Sequence, residues 1–485
     1  MSVLPPVIVW FREDLRLTDN PALTAAADTG APIVCLYIRE TGIPFARAPG
    51  GASRWWLNQS LKALAASLDG LGGRLVLKTG NALEVLNALA AATGAKSVFW
   101  TRRYGDTEKT ADAAVKAALK ETGINVQSFN GRLLMEPWAL KTGSGGYYRV
   151  FTPFWRTMQA AYVAPPALLA PKRLVSVAAA SENLADWDLH PRRPDWSAGL
   201  AQAWTPGEAG ALARLAEFLG GPINGYAETR NRPDLPDSTS RLSPHLRFGE
   251  IGPAQIWRAV KAGVEARHID ERAALVFLSE IAWREFSHVL LHFNPELAHK
   301  NYNSNFDRMP WLSNPGALGA WQRGQTGYPV VDAGMRQLWH TGWMHNRVRM
   351  IVASFLTKHL LLPWQAGETW FWDTLVDADP AINAASWQWT AGSGADAAPY
   401  FRVFNPITQG SKFDETGVYV RRWCPELARV PDKFLHAPFE APEGILKTAG
   451  VVLGKTYPKP IVEHSAARQR ALDAYKQTKE EQGAA

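Results

Sequence analysis

Cysteine is almost absent from this chain. Cys35 and Cys424 are the two among 485 residues, too few for a disulfide framework and in keeping with a reducing compartment. Long apolar runs are missing as well: no stretch approaches the roughly 20 uncharged residues of a spanning helix, so a membrane protein is not expected. The apolar run ending at Phe11 has no basic leader and is followed at once by Arg12, Glu13, Asp14 and Arg16. That does not fit a secretory signal, and a cytoplasmic location is the expectation. No histidine or cysteine cluster has metal-ligand spacing, so no metal is expected. No Ser/His/Asp arrangement can be assigned from spacing alone.

Tryptophan, by contrast, is abundant: 21 residues against 12 Tyr and 19 Phe, most of them after residue 150. Taken singly, a tryptophan is first of all a packing residue whose indole N–H seeks a partner. The formal charge of +7 is compatible with a polyanionic partner without requiring one. At this length, and with 46% apolar residues, two domains are expected.

Over residues 1–130, strand-like and helical runs alternate. Strands are predicted at Val7–Trp10, Ile33–Ile38, Arg74–Lys78, Ser97–Thr101 and Ile124–Phe129, and helices at Pro21–Ala27, Arg54–Leu68, Ala82–Ala92 and Lys109–Glu121. This alternation predicts an α/β domain with a doubly wound parallel sheet. The glycine fingerprint of a dinucleotide site is missing after the first strand, where Phe11-Arg12-Glu13-Asp14-Leu15 stands, so the fold by itself implies no cofactor. Over 131–204 Pro, Gly, Ala and Trp dominate with little periodicity, which reads as a surface connector. Beyond it the apolar spacing is helical almost throughout, as in Ala211–Leu219, Ala254–Lys261, Glu271–Phe293 and Trp343–His359. An all-α domain is predicted over 205–475, with a polar tail at 476–485.

Two stretches imitate phosphate loops. Gly450-Val451-Val452-Leu453-Gly454-Lys455-Thr456 is one residue short of a P-loop and runs into Tyr457-Pro458, which cannot open the required helix. Gly143-Ser144-Gly145-Gly146 has no strand before it and reads as a flexible turn. Asp237-Ser238-Thr239-Ser240-Arg241-Leu242-Ser243 is different, since it gathers hydroxyls and backbone donors just ahead of a helical stretch. It could hold a phosphate or simply cap the helix, and both readings stay open.

In Glu271–Phe293, residues Glu280, Trp283, Arg284 and Ser287 share one helical face. An acid, a flat ring, a cation and a hydroxyl suit a nucleobase; the alternative is a Glu280–Arg284 surface pair beside a half-buried indole. Asn346, Arg349 and Met350 form a similar stripe. Asp377-Ala378-Asp379-Pro380 reads as a helix start with Asp379 at the N-cap and Pro380 first in the helix, placing Asn383 and Trp387 one turn apart.

Four stretches carry a family resemblance: Thr326-Gly327-Tyr328-Pro329-Val330-Val331-Asp332-Ala333-Gly334-Met335-Arg336-Gln337-Leu338, Gly342-Trp343-Met344-His345-Asn346-Arg347-Val348-Arg349-Met350, Asn383-Ala384-Ala385-Ser386-Trp387-Gln388-Trp389, and Asp396-Ala397-Ala398-Pro399-Tyr400-Phe401-Arg402-Val403-Phe404-Asn405-Pro406. They closely resemble the flavin domain of photolyases and cryptochromes. The likeness starts at Trp10-Phe11-Arg12-Glu13-Asp14-Leu15-Arg16 and spans nearly the whole chain. It implies that the helical domain binds FAD, with Tyr226, Thr239, Ser240, Arg241, Leu242, Ser243, Asp377, Ala378 and Asp379 among its contacts. Arg349 and Asp377 match an ion pair beside the flavin ring. Asn383 matches the residue facing the flavin's redox nitrogen, and Phe277 stands where many relatives have a flavin-contacting Trp.

The resemblance further implies light-dependent repair of cyclobutane pyrimidine dimers in ultraviolet-damaged DNA, by electron transfer to a dimer flipped out of the duplex stack. Glu280, Trp283, Asn346, Met350 and Trp389 match the lesion pocket, and Arg230, Arg284, Arg347 and Gln409 match positions near the DNA strand, with Ser287 on the same helical face as Trp283. Trp387, Trp364 and Trp311 match an electron relay to the flavin. A (6-4) photolyase would carry histidines where Asn346 and Met350 stand, and a cryptochrome would signal without repairing. Relatives also bind an antenna chromophore. Glu108 resembles a folate-contacting acid, which favours methenyltetrahydrofolate over 8-hydroxy-5-deazaflavin; otherwise it is an exposed carboxylate at a helix start. A monomer is expected.

Overall fold

The computed structural model describes residues 4–43, 47–400 and 402–483; Phe401 of the last family motif, and Ala484 and Ala485 of the expected tail, lie outside the described residues. Five strands form, β1 (Val7–Phe11), β2 (Ile33–Glu40), β3 (Leu75–Gly80), β4 (Ser97–Thr101) and β5 (Asn125–Phe129), the first three from runs rich in Val, Ile and Leu. All pair in parallel in the order β3-β2-β1-β4-β5. A strand buried on both faces can be apolar at every position, and central β1 is buried throughout. Helices α1 (Pro21–Asp28), α2 (Gly51–Asp69), α3 (Ala82–Thr93) and α4 (Asp106–Glu121) make the crossovers. Leu86 and Leu89 of α3 and Val115 and Leu119 of α4 join Ile8, Trp10, Val34, Leu36, Val98 and Trp100 in one core cluster. The predicted elements are all present, with ends moved by a few residues where ladder hydrogen bonds outrun the apolar pattern. Thus β2 continues to Glu40, paired with Gly80.

The chain folds into two compact units, 1–224 with 240–295 and 376–378, and 225–239 with 296–375 and 379–485. In the first unit, the helices Glu208–Leu219, Ser243–Phe248, Pro253–Glu265 and Glu271–Phe293 accompany the sheet, although the sequence assigns them to the helical domain. Hydrogen bonds across some 190–240 residues explain this. The Glu208 carboxylate accepts the backbone N–H groups of Leu17 (2.7 Å) and Thr18 (2.9 Å), and Leu15 N donates to Phe248 O. The fully buried Glu250 accepts from Trp56 Nε1 at 3.0 Å and faces His245 Nδ1 at 2.5 Å. Gly249, left-handed at φ 65°, lies so close to Glu13 that a Cβ would sit 2.0 Å from its carbonyl oxygen. The connector is also less irregular than its composition suggests. It contains the helix Phe151–Ala161, with Phe151, Phe154 and Met158 buried at helical spacing.

The second unit is helical, as expected. Its predicted helix Trp343–His359 is shorter and composite: Gly342 closes the preceding helix Pro329–Thr341, His345 caps a helix beginning at Asn346, and Phe355–His359 forms a π-helical turn. The final helix, His464–Gly483, runs into the expected polar tail, where Thr478 is buried and bonds Ala474 O at 2.9 Å. No helix among the described residues is long and apolar enough to cross a membrane.

Candidate active site

In the hydroxyl-rich turn, Arg241 adopts a left-handed backbone (φ 52°), a strained choice for a side chain of that size. Its guanidinium lies 4.3 Å over Trp204 and reaches Ala203 O at 3.4 Å. Leu242, not a hydroxyl residue, occupies the N-cap of the following short helix, and no side chain caps it. Capping is therefore not what the hydroxyls do. Ser243 Oγ donates to Asp377 Oδ2 at 2.6 Å and Ser240 Oγ accepts from Leu242 N at 3.4 Å, while the buried Thr239 Oγ1 has no hydrogen-bond partner among the described residues. An orphaned hydroxyl two residues before an arginine fits a phosphate-bearing ligand. Arg247 Nε donates to Ala378 O at 2.6 Å, which holds the Val376–Ala378 segment. Asp379 Oδ1 then accepts from Ala381 N (2.9 Å) and Ile382 N (3.1 Å), the cap read from the sequence. Tyr226 is buried under Arg230, 5.8 Å from ring to guanidinium.

The face expected on Glu271–Phe293 is only partly realised. Glu280 and Trp283 are half-buried, and Phe277 is buried against Phe218 with centroids 4.8 Å apart. Arg284 does not stand on a surface where DNA could approach. It is 6% exposed, and its Nη1 donates to Arg132 O at 2.9 Å and to Glu285 Oε1 at 3.1 Å. Neither does it form the alternative surface pair with Glu280, because the buried Glu285 carboxylate binds it more closely from within. Burial pushes Glu285 up to about 7, against the pull of Arg284 and of the N–H groups of Met135 and Leu134. Ser287 is likewise buried and returns its hydroxyl to Trp283 O at 2.9 Å. One neighbour was not foreseen: Phe151 stacks on Trp283 with centroids 3.7 Å apart and planes 8° apart.

In the second unit, Asn346 is exposed at the start of the helix Asn346–Ser354, and Arg347, Arg349 and Met350 are half-buried. His345 caps this helix, its Nδ1 accepting Arg347 N–H at 3.2 Å. Burial, with Arg347 and Arg349 adding to it, pushes this imidazole down to about 3, so it stays neutral and keeps its acceptor. Arg347 reaches Asn231 Oδ1 through Nη2 at 2.8 Å and lies 4.5 Å over Phe413. Burial and the nearby Arg230 lower its pKa, as expected for cations crowded where an anion would relieve them. Arg349 Nε holds Met344 O at 2.8 Å. Trp389 and Gln409 are half-buried, the latter in a helix capped by Asn405.

Asn383 is buried, and its Nδ2 donates to Glu368 Oε1 at 2.7 Å and Glu368 O at 3.1 Å. Its Oδ1 is left as the available group. Sequence spacing gave no hint of Glu368, which comes from the neighbouring helix Trp364–Thr374. Along the expected relay, Trp387 and Trp364 are buried and Trp311 is half-buried. Trp387 meets Phe371 at 5.0 Å and Trp321, another unforeseen neighbour, at 6.1 Å, both edge-on. Gly367 makes room for it, since a Cβ there would lie 2.1 Å from Trp387 Cη2. Trp364 Nε1 donates to Asn301 Oδ1 at 2.8 Å.

At the carboxyl ends of the strands, β1 and β4 flank the switch point where such sheets commonly receive a nucleotide. Here that place is taken by the protein itself. Arg12 lies 4.4 Å over Trp10 and pairs with Asp112 at 2.6 Å, and Arg103 bridges Asp112 and Glu40 at 2.5 Å each. Among the described residues, no group of three or more His, Cys, Asp or Glu could hold a metal.

Residues 277–477 match the family described as the FAD binding domain of DNA photolyase, and residues 7–172 match the DNA photolyase family. The deoxyribodipyrimidine photo-lyase of Agrobacterium fabrum is 55% identical over 97% of both chains. Cryptochrome-2 of Arabidopsis thaliana is 40% identical over 99% of this chain and 80% of its own length. The crystal structure of a bacterial class III photolyase from Agrobacterium tumefaciens superposes with a TM-score of 0.95 at 54% identity, covering 99% of this chain and 98% of that one. A sheet domain with a helical flavin-domain motif set, matched along nearly its whole length, makes this chain a member of the cryptochrome/photolyase family.

Proposed function

We propose that this chain is a deoxyribodipyrimidine photo-lyase, repairing cyclobutane pyrimidine dimers in ultraviolet-damaged DNA with light. The observation that carries this is the 55% identity along 97% of both chains with an enzyme of that name, against 40% for a plant cryptochrome. FAD, held by the helical domain and reduced, would supply the light-driven electron chemistry of the repair. Its contacts are assigned to Tyr226, Thr239, Ser240, Arg241, Leu242, Ser243, Phe277, Arg349, Asp377, Ala378, Asp379 and Asn383. The orphaned Thr239 hydroxyl and the strained Arg241 suit its phosphates. With its donor side committed to Glu368, Asn383 offers an acceptor, which favours a protonated ring nitrogen and hence a reduced flavin.

Glu280, Trp283, Asn346, Met350 and Trp389 are assigned to the dimer, by stacking on its rings and bonding its base edges. Asn346 and Met350 stand where a (6-4) enzyme would need histidines. Arg230, Arg347 and Gln409 are assigned to the strand, where cations release counterions from phosphate; Arg284 is withdrawn from this role by its burial. Trp387, Trp364 and Trp311 are assigned to reduction of oxidised flavin. For the antenna we favour methenyltetrahydrofolate, near Glu108, over a deazaflavin, because Arg12, Arg103 and Asp112 fill the switch-point crevice. The functional division is an antenna domain at 1–130, a connector at 131–204 and an FAD-binding domain at 205–475, in a cytoplasmic monomer.

The test is repair itself. Protein with bound flavin, illuminated with blue light, should restore the ultraviolet base absorbance of an oligothymidine containing dimers. Flavin binding without any restoration would overturn the reading in favour of a light sensor. The absorption spectrum of the purified protein reads the antenna directly, as a second chromophore band.

A further inference from the structure

We propose that Phe151 is a positioning residue for recognition of the dimer: it covers one face of Trp283 and fixes that indole so that a single face remains for stacking. The inference rests on the assignment of Trp283 to the lesion. An indole has two π faces and, at a half-buried site, several staggered side-chain conformations. Phe151 lies parallel to it, at 3.7 Å and 8°, and Phe286 closes from the side, edge-on at 5.8 Å. Aromatic pairs prefer offset or edge-on arrangements. A nearly face-to-face stack is therefore imposed by the surrounding packing and not chosen by the two rings.

That packing is built on both sides of Phe151. Its own ring is buried, tilted against Phe154 at 6.5 Å and edge-on to Phe286 at 5.9 Å, and it opens the helix Phe151–Ala161. Just before it, Tyr147 stacks on Phe293 at 4.6 Å and 5°, with its hydroxyl 3.3 Å from Asn294 Oδ1. Phe293 lies ten residues beyond Trp283 on the same helix, about 15 Å along its axis. The segment carrying Phe151 is thus clamped to that helix at two separated points. An indole held this way gives up little conformational freedom when a base stacks on it, whereas ordering a free one costs affinity.

The experiment is a double-mutant cycle with Phe151→Ala and Trp283→Ala, reading dark affinity for a single-dimer oligothymidine and for its undamaged twin. Phe151→Ala should weaken dimer binding roughly 2- to 10-fold, the range of one aromatic pair, leave the undamaged twin unchanged, and add nothing in the Trp283→Ala background. Repair per absorbed photon of bound dimer should stay at the wild-type value, and Phe151→Tyr should keep wild-type affinity. Equal losses for damaged and undamaged DNA, or the same loss without Trp283, would overturn the proposal. If Phe151→Ala does not fold, the cycle is run with Phe151→Leu, judged by the same criteria. Wild-type protein that repairs dimers but shows no coupling refutes Phe151 alone; wild-type protein that repairs nothing refutes the photo-lyase reading, whatever Phe151 does.

Discussion

Replacing Trp387 with phenylalanine should abolish photoreduction of oxidised flavin while leaving the fold and the repair step in place. Trp387 is 2% exposed and its Nε1 has no hydrogen-bond partner among the described residues, so removing the N–H orphans nothing. The lost ring volume, about 35–40 Å³, at ~24 cal/mol per Å³ amounts to about 1 kcal/mol of cavity cost. Phe371 and Trp321 remain to pack the new ring edge-on, and Gly367 sits against the distal atoms that are lost. Melting should therefore fall by about 2 °C at most in a chain of this size. Phenylalanine, however, cannot donate an electron under these conditions. The assay follows the oxidised-flavin absorbance under blue light with an external thiol, beside dimer repair by protein reduced chemically beforehand. Photoreduction at the wild-type rate would remove Trp387 from the relay. A matching fall in repair by pre-reduced protein would mean that the change had damaged the site instead.

Trp283→Ala should weaken dimer binding by about 1–3 kcal/mol, the worth of one base-stacking ring, measured by equilibrium binding in the dark. Arg347→Ala should lower affinity alike for damaged and undamaged strands and reduce the slope of log K against log salt by about 1; an unchanged slope would show that Arg347 meets no phosphate. Glu285, raised to about 7 from 4.5 by burial, keeps its proton in the folded state after the unfolded chain has lost it. Its contribution to stability is full below about pH 4.5 and is lost as pH rises to about 7, at most about 3 kcal/mol. Glu285→Gln should flatten that part of the melting-temperature profile.

The sheet was legible because period-two and continuous apolar runs alternate with helical ones, and β1 shows why: its five residues are apolar and all are buried. The grouping of helices with the sheet was not legible. It depends on hydrogen bonds such as those of Glu208 with Leu17 and Thr18, which no local pattern encodes. Within the site, the Asp379 cap and the order of Asn383 and Trp387 followed from spacing, since a helix fixes both. The direction in which a side chain turns did not. Arg284 and Ser287 share a helical face with Trp283 on paper, yet Glu285 draws the arginine inward and the serine bonds its own helix. Phe151 and Glu368 were missed for a related reason: each acts on a residue more than a dozen positions away, from a segment with no motif of its own.

The two hydrogen bonds from Asn383 to Glu368 also bear on how this site can change over generations. The amide nitrogen donates to two oxygens of one residue, so a flipped amide would set its own oxygen against both of them. An aspartate at 383 would set two carboxylates about 2.7 Å apart in a buried place, and they could not both ionise. The two positions are therefore epistatic. A lineage that loses the acid at 368 before gaining one at 383 avoids the buried carboxylate pair, whereas the reverse order passes through it.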